Sequence, residues 1–384
     1  MSFKTVDEIN EKISKGKAVV VTAEEMIEIV EDNGAKKAAQ MVDVVTTGTF
    51  SPMCSSGVFI NFGHSSPPIR MTRVWLNDVM AYAGIAAVDA YIGATELSES
   101  QGMAYGGAHV IQDFIDGKDI RLYAESCGTD CYPRKEITTT VNKNNVNQAY
   151  MFNPRNCYQN YPAGTNSTDK TIYTYMGTLL PQFGNVTYCT SGQLSPLLND
   201  PEYRTIGIGT RVFIGGAQGY VAFQGTQHYP GQERTDNGTP VNLAGTLALI
   251  GDLRKMTTKY VRAAVYEKYG VTLFVGVGIP IPILDEDMAS KTAVSDKDIY
   301  TNIIDKSGST SFTQRVSYQE LRSGLVTING KKVPTAPLSS MKVSREIADV
   351  LKNQVQKGEF LLTKPVELLP KESEPLNKLD IRGN

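Results

Sequence analysis

Two apolar runs in the first third of the chain, Asp43-Val-Val-Thr-Thr47 and Asp119-Ile-Arg-Leu-Tyr-Ala-Glu125, each deliver the backbone into a cysteine-bearing turn. The first leads to Ser51-Pro-Met-Cys54-Ser-Ser-Gly57 and the second to Cys127-Gly-Thr-Asp-Cys131-Tyr-Pro-Arg134-Lys135. A cysteine kept for packing belongs inside an apolar run. One kept for reactivity belongs in a turn with free N–H groups and cations nearby, where its thiolate is stabilised. Cys54 and Cys131 fit the second description, so the chain reads as a thiol-dependent enzyme whose strands end at its chemistry.

The cysteine count supports this reading. Five cysteines are an odd number and form no disulfide framework. Three histidines, His64, His109 and His228, have no helical metal-site spacing, and no Cys-x-x-Cys pair exists, so no metal site is expected. A net charge of −2 gives no field for nucleic acid or an anionic membrane. No apolar run reaches bilayer length, and the N-terminus lacks the apolar stretch of a signal peptide. A cytoplasmic location follows by elimination.

Helices are predicted over 6–14, with Thr5 as N-cap and Glu8 as its capping-box partner, and over 24–32, 35–42 and 109–116. The alanine-rich stretch 78–91 reads as a buried helix, and 252–269 as another. Strands are predicted at 18–22, 43–47, 58–62, 119–125, 245–250 and 271–277. Strands alternating with helices argue for an α/β fold, its sheet mixed or mainly parallel, with flanking helices and a loop-rich insert over 142–169. Cys54 and Cys131 then fall beyond strand C-terminal ends, where such sheets hold ligands. A single catalytic domain is expected over 1–365, with a charged, flexible tail over 366–384.

Other residues are weaker candidates. His64, ten residues after Cys54, and His228, in Gly225-Thr-Gln-His228, are candidate acids or bases. Arg70, Arg73, Arg134 and Arg211 are candidate carboxylate clamps, each as readily structural. The glycine-rich stretch 206–219 lacks a phosphate-loop pattern and reads as the wall of an active site. Cys157 and Cys189 are assigned to packing or surface.

At this point several stretches carry a resemblance. Thr47-Gly-Thr-Phe-Ser-Pro-Met-Cys54, Tyr105-Gly-Gly-Ala-His109, Gly128-Thr-Asp-Cys-Tyr-Pro-Arg-Lys-Glu136 and Gly276-Val-Gly-Ile-Pro-Ile-Pro-Ile283 resemble the homocysteine biosynthesis family of sulfur-incorporating enzymes, found in methanogens and some anaerobic bacteria. Asn199-Asp-Pro-Glu-Tyr-Arg-Thr-Ile-Gly-Ile-Gly-Thr-Arg211 belongs to the same likeness, which spans about residues 5 to 365. The resemblance implies conversion of L-aspartate semialdehyde to L-homocysteine, with Cys54 and Cys131 as functional cysteines and one of them carrying a persulfide. It implies a sulfide or persulfide donor and an electron-transfer partner, a ferredoxin-like protein with a NIL domain. Neither a CBS nor a ferredoxin domain is recognisable within the 384 residues. No tightly bound cofactor is expected, although an iron–sulfur cluster on Cys54, Cys131 and a further cysteine stays open as an alternative. A non-catalytic sulfur carrier and a homo-oligomer also stay open.

Overall fold

The computed structural model describes residues 3–308 and 311–380. Its secondary structure is 36% strand against 19% helix, and nearly all strand pairing is antiparallel. This overturns the expected α/β fold with a mixed or mainly parallel sheet and flanking helices. The reason lies in the first 46 residues, where Val20–Thr22 and Val44–Thr46 do pair in parallel, joined by helices Ala23–Asn33 and Ala35–Met41. That local β–α–β pattern does not propagate. Among the described residues, further parallel pairs occur only where Ala163–Thr165 meets Tyr300–Asp305, where Val186–Tyr188 meets Lys331–Pro337, and at the isolated bridge between Ile69 and Arg134.

The central element is a nine-stranded antiparallel sheet made of β1 (Thr49–Pro52), β2 (Gly57–Asn61), β3 (Asp89–Gly93), β4 (Gln148–Asn156), β5 (Arg211–Ile214), β6 (Ala217–Gln224), β7 (Leu247–Asp252), β8 (Val261–Tyr266) and β9 (Gly270–Gly278). The spatial order is β8-β9-β5-β6-β7-β4-β2-β3, and β1 also pairs with β9. Two predicted helices are strands here. In 78–91, Val79 and Ala81 are buried while Met80 and Tyr82 are exposed, a period of two that the alanine content masked. In 252–269 only a short 3₁₀ turn at Leu253–Lys255 precedes β8. The stretch 142–169 is no insert, because β4 sits between β2 and β7 inside the sheet.

A second antiparallel sheet includes Arg73–Leu76, Ile120–Glu125 and Glu136–Val141. One core runs across both sheets, with Val58, Ile92, Leu122, Met151 and Leu273 in one cluster with Phe114 of helix Gly107–Ile115. The 206–219 stretch forms the β5–β6 hairpin, turning at Gly215 and Gly216, both at positive φ. On β9, a Cβ on Gly276 or Gly278 would come within 2.7 or 2.9 Å of Ile347, so the two glycines let helix Met341–Gln356 lie close on the sheet. The N-terminal cap forms as read: Thr5 accepts from the Glu8 N–H while Glu8 accepts from the Thr5 N–H. Beyond residue 365, Glu367–Leu368 pairs with Gly207–Ile208 and Leu369 is buried. No helix among the described residues is long and apolar enough to cross a membrane.

Candidate active site

Cys54 and Ser55 occupy the centre of the tight turn joining β1 to β2, closed by Ser56 N–H donating to Met53 O at 3.0 Å. The turn is held from several directions. Met53 is buried and donates its N–H to Leu273 O at 2.7 Å. Asn153, fully buried in β4, donates through Nδ2 to Ser56 Oγ at 2.8 Å. The Ser55 hydroxyl faces Asn153 Oδ1 at 3.2 Å and Arg155 O at 3.3 Å. The small hydroxyl residues thus fasten the cysteine-bearing turn to the neighbouring strand. Cys54 itself is half-buried and free.

Cys54 lines a cavity of about 330 Å³, the size of a small-molecule site. Around it stand Arg155, Gln227, Cys189 and Thr272, and a wall of tyrosines that includes Tyr158, Tyr161 and Tyr266. No Asp or Glu lines it. β4 runs on beside the Cys54 turn past the last β2–β4 pair, Gly57↔Phe152, with Arg155 O 3.3 Å from Ser55 Oγ. Arg155 forms no ion pair among the described residues; its Nη1 donates to Gln227 Oε1. Three buried polar atoms of this cavity have no hydrogen-bond partner: Arg155 Nε, Tyr266 Oη and Thr272 Oγ1. Burial pushes the Tyr158, Tyr161 and Tyr266 phenols well above their ordinary value, so all three stay protonated at neutral pH. Burial also pushes the Cys189 thiol up to about 12, opposed by the charge of Lys306, so it rests as a neutral thiol.

The other sequence candidates lie elsewhere. Cys131 is exposed and absent from the cavity wall. Its turn rests on the 64–68 turn: Arg134 donates to Pro67 O and Ser66 O at 2.9 Å each, and the His64 and Tyr132 rings stack at 6.2 Å. That turn follows the far end of β2, whose five residues at about 3.4 Å each hold the two cysteine turns apart. His64 therefore accompanies Cys131 rather than Cys54. His228 is buried, with Nδ1 accepting from Thr246 N–H at 3.2 Å and Nε2 donating to Pro370 O at 3.0 Å. Of its turn, Gln227 reaches the cavity wall instead.

Arg73 is paired with Glu125, Arg211 donates to Leu361 O, and Arg70 is exposed, so none of the four predicted arginines lines the cavity. Nor does the 206–219 glycine stretch. Sequence reading missed Arg155, Asn153 and Cys189. The pattern Asn153-Pro-Arg-Asn-Cys157 was the available signal, hidden because its stretch read as surface loop. No group of three or more His, Cys, Asp or Glu among the described residues is placed to hold a metal ion.

The sequence profile of the homocysteine biosynthesis enzymes, described as sulfur-incorporating, matches residues 18–362. The chain belongs to this family. Two relatives carry the name L-aspartate semialdehyde sulfurtransferase. The one from Methanosarcina acetivorans is 52% identical over 97% of this chain and 73% of its own length. The one from Methanocaldococcus jannaschii is 53% identical over 98% of this chain and 75% of its own. An uncharacterized protein of Methanothermobacter thermautotrophicus is 27% identical over 83% of the chain. No solved structure matches. Membership in the homocysteine biosynthesis family makes the protein an enzyme, and every residue that lines the Cys54 cavity lies within the matched stretch.

Proposed function

We propose that this enzyme transfers sulfur to L-aspartate semialdehyde, making L-homocysteine, with Cys54 as the sulfur-carrying nucleophile. The observation that carries the reading is a free, half-buried cysteine on a fastened turn, opening into a small cavity free of carboxylates. A persulfide donor first transfers its outer sulfur to the Cys54 thiolate and leaves as a thiol, giving a persulfide on Cys54. Its terminal sulfur adds to the aldehyde carbon and gives Cys54–S–S–CH(OH)–R, the oxygen taking a proton. A second thiolate, assigned to Cys131, attacks the Cys54 sulfur, which releases HS–CH(OH)–R and leaves a Cys54–Cys131 disulfide. Loss of water gives a thioaldehyde. Two electrons and two protons reduce it to the CH₂–SH product, and two more of each reduce the disulfide.

Those electrons come from an external low-potential donor, for which a ferredoxin-like NIL-domain protein is the proposed partner. The disulfide step needs the two Cα atoms within about 7 Å, so the Cys131 turn has to travel to the cavity. The test is turnover of L-aspartate semialdehyde with a persulfide donor and a reductant, followed by mass spectrometry of the anaerobically isolated protein. Homocysteine formation and one added sulfur on the Cys54 peptide are the expected results. Full activity in Cys54→Ala would refute the assignment.

A further inference from the structure

Three unpartnered buried donors in one cavity call for an explanation, since a buried polar atom without a partner costs stability. Arg155 Nε, Tyr266 Oη and Thr272 Oγ1 come from three strands, β4, β8 and β9, and all three residues line the Cys54 cavity. Thr272 is only 1% exposed. One edge of the Arg155 guanidinium is occupied by Gln227, which holds the group in place and leaves the Nε edge unpaired. A guanidinium fork matches a carboxylate. No acidic side chain lines the cavity to satisfy it from within, and Lys306 adds a second cation beside the wall, its Nζ 3.2 Å from Tyr175 Oη.

We propose that Arg155 is the receptor for the substrate's α-carboxylate and that the Tyr266 and Thr272 hydroxyls donate to the oxygen of its aldehyde. The assignment rests on the sulfurtransferase reading for the identity of the ligand, a short amino aldehyde bearing a carboxylate. With Arg155 and Cys54 lining the same cavity, the carboxylate docks at the guanidinium, and the two carbons beyond it bring the aldehyde to the nucleophile. The hydroxyls are neutral donors, suited to the alkoxide that forms as sulfur adds. The α-ammonium finds no carboxylate and rests against the tyrosine wall.

The test separates anion binding from turnover. Cys54 is alkylated with iodoacetate and, in parallel, with neutral iodoacetamide, and its peptide is quantified by mass spectrometry. Iodoacetate carries a carboxylate beside its reactive carbon, so it is expected to react preferentially at Cys54. In Arg155→Gln the iodoacetate-to-iodoacetamide ratio at Cys54 should fall about tenfold, while the ratio at exposed Cys131 stays constant. The KM for L-aspartate semialdehyde should rise about ten- to hundredfold. Thr272→Val covers the case in which Arg155→Gln does not fold. It removes an unpartnered buried hydroxyl, so the melting temperature should hold or rise while kcat falls several-fold. An alkylation ratio at Cys54 that ignores Arg155→Gln overturns the proposal. A ratio that depends on Arg155 in a protein unable to make homocysteine upholds the anion receptor and removes the proposed activity.

Discussion

The turns of Cys54 and Cys131 look alike in sequence and differ in structure. Each follows a strand and consists of small and hydroxyl residues. The Cys54 turn is built into the nine-stranded sheet, where Ser55 and Ser56 bond to buried Asn153 and the sulfur opens into a cavity. The Cys131 turn stands at a sheet end, with Cys131 exposed and Thr129 Oγ1 3.6 Å from its sulfur. Its arginine, Arg134, donates to two backbone carbonyls of the neighbouring turn. A hydroxyl-rich cysteine turn therefore does not by itself fix its surroundings: whether the sulfur opens into a cavity or stands exposed depends on which strand stands beside it.

The largest expected difference between the turns is in catalysis. Cys54→Ala and Cys131→Ala should each abolish steady-state homocysteine formation, yet Cys131→Ala should still acquire an added sulfur on Cys54, read by mass spectrometry. An inability of Cys131→Ala to load Cys54 would make Cys131 the first sulfur acceptor. A bulky maleimide should modify Cys131 about tenfold faster than Cys54, as a peptide-resolved time course would measure. Equal rates would mean that the Cys54 cavity opens freely in solution.

Stability should separate the turns as well. A Cβ on Gly57 would meet Tyr91 Oη at 2.0 Å and Ile92 O at 2.8 Å, so Gly57→Ala should cost about 3 kcal/mol in denaturant unfolding. Ser56→Ala strands the buried Asn153 amide and should cost about 1–2 kcal/mol. The matching change in the other turn, Thr129→Ala, removes a half-buried acceptor of Tyr132 N–H, which still donates to Thr129 O at 3.1 Å, and should stay within about 0.5 kcal/mol. Similar costs for Ser56→Ala and Thr129→Ala would erase the distinction drawn between the turns. The smallest effect concerns pH. Burial lowers the pKa of His228 below its ordinary value, so the folded protein binds its proton less readily than the unfolded chain. The resulting stability is fully present above about pH 6.5 and is lost as pH falls through the lower folded value. Melting temperatures across that range should decline less steeply in His228→Phe.

Much of the local structure was legible. Thr5 and Glu8, and Thr22 and Glu25, are paired caps three residues apart whose bonds depend on nothing distant. The strands at 120–125 and 270–278 were readable from apolar content bounded by turns. The failures were long-range. Residues 79–81 and 261–266 have compositions that suit a helix, yet each is paired on a neighbouring strand, and propensity yields to such pairing. Arg155 was invisible because its place on the cavity wall comes from the pairing of β4 with β2, a strand some ninety positions earlier.

The chain's own order of residues determined that a cysteine would sit at the head of a tight hydroxyl turn, where a helix would cap, and to which family the protein belongs. Only the tertiary structure decided which cysteine would share a cavity with an unpaired guanidinium, and that the sheet would be antiparallel. Capping and turn formation are decided within a few residues, whereas strand neighbours and unpaired buried donors depend on contacts between segments that no local pattern encodes.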